Sequence, residues 1–217
     1  MSGFKIITLD GPAASGKGTL ARRLADELGY FYLDTGAIYR LVGLKVLNAG
    51  LEPEESEQQI AGIATELANN FSISLLDDPA LKFDQVGQMA SRCAALPSMR
   101  ESIAELQRNL AKTPPNGARG SVLDGRDTGT AICPDADIKI FVTADTDIRA
   151  ERRYKELQAC GLNTSFDAVL NDMQERDRRD SDRAFRPLKP ADGAIIIDTG
   201  KMTPDEALAA VLAAVRR

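Results

Sequence analysis

Apolar and polar positions alternate between two periods along this chain. Phe4 to Leu9 is a short β-rich apolar run that ends at Asp10-Gly11-Pro12, which predicts a buried strand followed by a loop. From Lys17 to Leu28 the apolar residues recur at helical spacing and Gly29 closes the segment, so the chain opens as strand, glycine loop, helix. Tyr30 to Leu33 predicts a second strand, and Asp34-Thr35-Gly36 leads into a helix through about Asn48, stopped by Gly50. Glu54 to Asn69 again has helical spacing. Phe71 to Leu76 alternates with period two, and Asp77-Asp78-Pro79 turns the chain toward Leu81-Lys82-Phe83, which predicts a small hairpin.

Ser98-Met99-Arg100-Glu101 fits a capping box and predicts a helix to about Lys112, broken by Pro114-Pro115-Asn116-Gly117. Ser121 to Leu123, Ile138 to Thr143 and Ala194 to Ile197 complete a set of five short core strands. Between the last two, helices are predicted from about Asp147 to Cys160 and from Thr164-Ser165-Phe166-Asp167 into the charged stretch Gln174 to Arg186. Thr203-Pro204-Asp205-Glu206 caps a final helix with proline at its permitted first position. Strands alternating with helices in this way predict an α/β fold with a parallel sheet.

Composition narrows the chemistry. The 217 residues are 43% apolar and 27% charged, enough to bury one sizeable core. Asp and Glu outnumber Lys and Arg by 32 to 27, so attraction to a nucleic-acid backbone is disfavoured. There is no histidine, which removes imidazole bases, imidazole metal ligands and the Ser-His-Asp triad together. Cys93, Cys133 and Cys160 are odd in number and form no CxxC, which argues against a disulfide framework or a zinc site and fits buried thiols in a reducing cytosol. Met1 to Lys5 has no apolar signal region, and no uncharged apolar run approaches the roughly 18 residues of a membrane span. These features predict a soluble, cytoplasmic protein.

The most specific motif is Gly11-Pro12-Ala13-Ala14-Ser15-Gly16-Lys17-Gly18-Thr19, set between the first strand and the first helix. Gly11 and Gly16 permit a backbone path in which successive N–H groups turn inward around phosphate oxygens, and the positive end of the helix adds to the attraction. Lys17 is placed to reach the β- and γ-phosphates, with Thr19 or Ser15 offering a hydroxyl near a bound metal. Gly18 separates Lys17 from Thr19, the form found in nucleoside monophosphate kinases. The chain has no NKxD or LSGGQ segment, which weakens GTPase and ABC-transporter readings.

Three further segments stand in order: Leu33-Asp34-Thr35-Gly36-Ala37-Ile38-Tyr39-Arg40, Asp124-Gly125-Arg126-Asp127-Thr128-Gly129-Thr130, and Glu175-Arg176-Asp177 leading to Asp180 and Arg183. With the phosphate loop, they make the sequence resemble the cytidylate kinases, which phosphorylate CMP and dCMP with ATP, over nearly its whole length. The resemblance implies one P-loop kinase domain, with a five-stranded parallel sheet flanked by helices. Its parts would be a core (about 1–34, 113–148 and 190–217), a monophosphate-binding segment (about 35–112) and a lid (about 149–189). Between Asn70 and Met89 there is room only for a short hairpin, where many members carry a larger insert.

The same resemblance implies roles for matching residues. Lys17, Arg126, Arg152, Arg153 and Arg176 would neutralise charge on the transferred phosphoryl group, with Arg152 and Arg153 in the lid. Thr35, Arg40, Arg100 and Arg126 would hold the acceptor phosphate; Asp127, Ser91 and Arg183 would read cytosine; Asp180, with Arg176 near it, would hold the sugar. Mg²⁺ would lie near Thr19 and Asp124, where Asp124 either orients metal-bound water or caps the following turn. The Asp198-Thr199-Gly200 loop is a candidate for the adenine side. Expected partners are ATP, CMP and dCMP acting on a monomer, with no nucleic acid and no membrane. Two alternatives remain: a kinase for UMP or AMP, and a non-catalytic module that only binds ATP.

Overall fold

The computed structural model describes residues 5–215. Phe4, where the predicted first strand begins, lies outside them, as do Met1 to Gly3, Arg216 and Arg217. Five strands form: β1 (Lys5–Asp10), β2 (Phe31–Asp34), β3 (Gly120–Gly125), β4 (Ile138–Thr143) and β5 (Ile195–Asp198). They lie in one sheet in the order β2-β3-β1-β4-β5. Strand β1 runs parallel to β3 and to β4, and β4 runs parallel to β5.

Strand β1 shows how the centre of the sheet is buried on both sides. Ile7 and Leu9 point into an apolar layer with Val122, Ile140 and Val142, covered by Leu20 and Leu24 of α1 (Lys17–Leu28) and by Leu208 and Val211 of α8 (Pro204–Val215). Thr8 and Asp10 alternate with them and are buried as well, as expected for a parallel strand with both faces covered. From β1 the chain crosses to the β2 edge, and from β3 it crosses back to β4. The order therefore reverses at β1, and the loops leaving β1 and β3 open into the crevice where α/β sheets bind ligands.

The chain divides into two compact units, one made of residues up to Leu33 and from Ala111 onward, the other of Asp34–Leu110. In the first, α6 (Thr146–Ala159) and α7 (Phe166–Ser181) share a small apolar core of Ala150, Val169 and Met173, flanked by Tyr154 and Phe166 in an edge-to-face pair. Helix α7 stops at Ser181, short of the Arg186 reached by the charged stretch. Leu188 N–H donates to the Asp180 carbonyl at 2.8 Å, and Arg186 is left-handed at φ 54, so the chain folds back rather than continuing the helix.

The second unit is helical: α2 (Thr35–Asn48), α3 (Glu57–Asn69), α4 (Asp84–Cys93) and α5 (Pro97–Lys112). The predicted hairpin does not form. Ile73–Asp77 and Pro79–Lys82 are 3₁₀ turns leading into α4. An isolated pair of strands needs an apolar face to bury, but no residue of Ile73–Asp77 is buried, and Asp78 accepts the Ala80 N–H at 2.8 Å to start the next turn. Helix α4 lies close against α2, and a Cβ on Gly43 would come within 2.8 Å of the Ala90 nitrogen. The expected capping box at Ser98 is also absent. Pro97 takes the first helical position, and the Ser98 hydroxyl donates to Glu57 Oε1 at 2.8 Å. Among the described residues no helix is long and apolar enough to cross a membrane.

Candidate active site

The loop between β1 and α1 follows the path its glycines predict. A Cβ on Gly11 would stand 2.0 Å from the Val142 carbonyl oxygen, so only glycine lets the loop pass the end of β4. Gly16, left-handed at φ 83, caps α1. Lys17 is nearly buried; its Nζ donates to the Pro12 carbonyl at 3.1 Å and lies 4.0 Å from Asp124 Oδ1. Asp124 Oδ2 in turn accepts from the Tyr32 hydroxyl at 3.4 Å, and the Arg22 guanidinium sits 4.6 Å above the Tyr32 ring. The Asp124 carboxylate therefore faces the loop lysine. Ser15 is fully buried and its hydroxyl has no protein partner, whereas Thr19 is exposed at the start of α1.

Asp10, the last residue of β1, anchors the segment that follows β3. Its Oδ1 accepts from Thr128 N at 2.8 Å and Thr128 Oγ1 at 2.7 Å, and its Oδ2 accepts from Gly129 N at 2.7 Å. Burial pushes the Asp10 carboxyl up to about 6 against the pull of these bonds, and the Asp127 charge adds to the rise. A π-helical turn, Thr128–Ile132, is held this way directly behind Arg126 and the buried Asp127.

Three of the predicted acceptor-side residues do come together. Arg126 Nε donates to Asp180 Oδ2 at 3.0 Å, and Arg183, just past the end of α7, pairs with Asp180 Oδ1. Asp180 is 4% exposed. Burial alone would raise its carboxyl, but the charges of Arg126, Arg183 and Arg176 outweigh it and hold the group below the usual carboxylate range. Three guanidiniums thus act on one carboxylate, which leaves the cluster with excess positive charge.

The lid arginines divide. Arg152 reaches back to the loop after β5, donating to the Thr199 carbonyl at 2.7 Å and to its hydroxyl at 3.1 Å. Arg153, half-buried, pairs with Glu156 at 3.0 Å. A further arginine went unnoticed in the sequence: Arg149, 3% exposed, donates to the Ala144 and Ala13 carbonyls, the Thr146 hydroxyl and both oxygens of Asp177. Its signal was available, because a cation in the first turn of a helix opposes the dipole and needs another reason to be there. Asp10 and Tyr32 were also missed; as single strand residues they carry no motif.

In the second unit, Asp34 accepts the Ala37 N–H at 3.1 Å and so starts α2, which places Thr35 at the helix start, buried, and Arg40 one turn on, 3.5 Å from Asp34 Oδ2. Ser91 is buried on α4. Arg100 is buried on α5, donates to the Ala94 carbonyl at 3.2 Å and stacks 5.4 Å over Tyr39.

A parallel sheet whose order reverses at β1, with a GKGT loop wrapped by its own lysine and arginine-rich helices beside it, defines a phosphate-loop phosphotransferase. The family model for cytidylate kinase matches residues 7–217. Curated cytidylate kinases from Paramagnetospirillum magneticum and Rhodospirillum rubrum are 51% and 48% identical to the chain, each match covering 95% of both sequences. The chain belongs to the cytidylate kinase family. A crystal structure of an uncharacterized protein from Eubacterium ventriosum shares the fold, with a TM-score of 0.54, 16% identity and 98% of each chain covered.

Proposed function

We propose that the chain transfers the γ-phosphoryl group of ATP to CMP or dCMP, giving ADP and CDP or dCDP by in-line displacement. The observation that carries this reading is the union, in one family member, of the Lys17 phosphate loop with the Arg126–Asp180–Arg183 cluster. The first is built for a polyphosphate; the second presents fixed guanidiniums to a smaller anion, with a carboxylate between them for a sugar hydroxyl. Arg40, Arg100 and Thr35 of the second unit are assigned to the acceptor phosphate, and Ser91, Asp127 and Arg183 to the base. Cytosine offers an amine to Asp127 where uracil would offer an oxygen, so the carboxylate selects against UMP.

No general base is required, because the acceptor phosphate already carries a nucleophilic oxygen near neutral pH. Rate enhancement then comes from alignment and from charge neutralisation by Lys17, Arg126, Arg153 and Arg176, each acting arginine contributing on the order of 10³. Mg²⁺ fits the residues present. Asp124, whose carboxylate lies beside Gly18 of the loop, and the Thr19 hydroxyl would offer the sparse oxygen set that suits an ion held mainly by phosphates and water. Bound there, it would neutralise charge between the β- and γ-phosphates. The reading makes the protein a cytoplasmic enzyme that acts on small nucleotides.

The test is initial ADP formation from Mg-ATP with CMP, dCMP, UMP, AMP or no acceptor, in the parent chain and in Arg183→Ala. Turnover with CMP and dCMP that the variant selectively loses is expected. Equal ADP release without acceptor would mark an ATP hydrolase or binding module, and preference for UMP or AMP would overturn the cytosine assignment.

A further inference from the structure

Three carbonyls of the phosphate loop each accept a hydrogen bond from a side chain. Lys17 Nζ donates to Pro12 O, Arg149 NH1 donates to Ala13 O at 3.2 Å, and the Thr199 hydroxyl donates to Ser15 O at 2.9 Å. In a trans peptide the C=O and the following N–H point in opposite directions. Holding these carbonyls therefore also fixes the N–H groups of Ala13, Ala14 and Gly16, the donors a phosphate-binding loop must aim inward. Ala14 shows that the hold has a cost, since it is left-handed at φ 55 without being glycine, a conformation that persists only where the surroundings enforce it. Its methyl group packs against the apolar cluster of α6 and α7.

We propose that Arg149 is a positioning residue for phosphoryl transfer. It locks the Ala13–Ala14 peptide of the phosphate loop and, through its paired bonds to Asp177, fixes that loop in register with α7. Asp177 directly follows Arg176 and stands three residues before Asp180 on α7, so the donor-side N–H groups and the α7 side chains facing the substrates share one rigid link. The guanidinium suits the task because its planar fork serves a bidentate carboxylate and backbone carbonyls at once, which an ammonium cannot. The inference rests on the assignment of the loop to ATP phosphates.

The experiment compares the parent chain with Arg149→Lys, Arg149→Ala, Asp177→Asn and Ala14→Gly. It measures thermal midpoint, affinity for a non-hydrolysable Mg-ATP analogue, and separate kcat and KM values for CMP. Arg149→Lys should remain folded, bind the analogue on the order of tenfold more weakly and lose kcat by about 10–100-fold, while KM for CMP stays within about twofold. Added guanidinium at non-denaturing concentration should restore part of the analogue affinity of Arg149→Ala. Affinity and kcat within about twofold of the parent in Arg149→Lys and Asp177→Asn would overturn the proposal. So would losses spread equally over ATP and CMP with no rescue by guanidinium, which is the pattern of a merely structural residue. Tight analogue binding by a parent chain that does not phosphorylate CMP would sink the CMP-kinase reading, and the analogue affinities of Arg149→Lys and guanidinium-treated Arg149→Ala would then decide this one.

Discussion

Asp180 stands between Arg126 and Arg183, accepting from the first at 3.0 Å through one oxygen and pairing with the second through the other. The arrangement joins the end of β3 to the end of α7, with one carboxylate pairing with both arginines. Asp180→Asn keeps the shape and removes the buried charge with which both guanidiniums pair. We expect a loss of roughly 3 kcal/mol or more in stability, measured by denaturant unfolding, together with a rise in KM for CMP larger than that for ATP. Because the Asp180 carboxyl is held low in the folded chain, its contribution is complete above the ordinary carboxylate range near 4 and is lost as pH falls through its depressed value.

Asp10 has the opposite sign. Its folded value is raised from 3.8 to about 6, so its contribution to stability is greatest below pH 4 and is lost as pH rises through 6. At about 1.4 kcal/mol per pH unit, ionising Asp10 takes on the order of 3 kcal/mol from the fold between pH 4 and pH 7. Asp10→Asn cannot ionise, so its unfolding free energy should lose this downward trend across that window. A variant that keeps the parent's slope would show that Asp10 titrates normally.

The last helix offers a test outside the site. Thr203 Oγ1 accepts the Glu206 N–H at 3.3 Å, and Glu206 Oε2 accepts the Thr203 N–H at 2.8 Å, a reciprocal cap. Thr203→Ala should lower the thermal midpoint by about 2–4 °C without changing CMP turnover, as read by calorimetry and steady-state rates.

That cap was legible in the sequence because its signal is local: a hydroxyl, a proline and a carboxylate at fixed spacing. The five strands, the phosphate loop and Gly29 were legible for the same reason. At Ser98 an equally good local pattern failed, because Pro97 offered a competing helix start and Glu57, far away in the chain, took the hydroxyl. The hairpin at Phe71 to Phe83 failed because alternation describes a strand only where one face is buried, and this segment has no sheet to join. In the site, the phosphate loop was readable as a contiguous motif and the acceptor arginines by family resemblance. Arg149, Asp10 and Tyr32 were not, since their partners Ala13, Thr128 and Asp124 are brought to them only by the parallel crossovers.

Arg152 and Arg153 are neighbours in sequence with the same resemblance-based role, and the structure separates them. Arg152 donates to the Thr199 carbonyl and hydroxyl, and that hydroxyl donates to the Ser15 carbonyl of the phosphate loop. Arg153 is half-buried and pairs with the exposed Glu156, an ion pair worth under about 1 kcal/mol. Arg153→Ala should therefore leave the thermal midpoint within about 1 °C while lowering kcat by roughly 10–1,000-fold. Arg152→Ala should lower the midpoint by several degrees and weaken Mg-ATP binding, with kcat falling as a consequence. The reverse pattern, a stable Arg152→Ala with normal ATP affinity and an Arg153→Ala with full kcat, would exchange the two assignments and make Arg152 the residue that meets the transferred group.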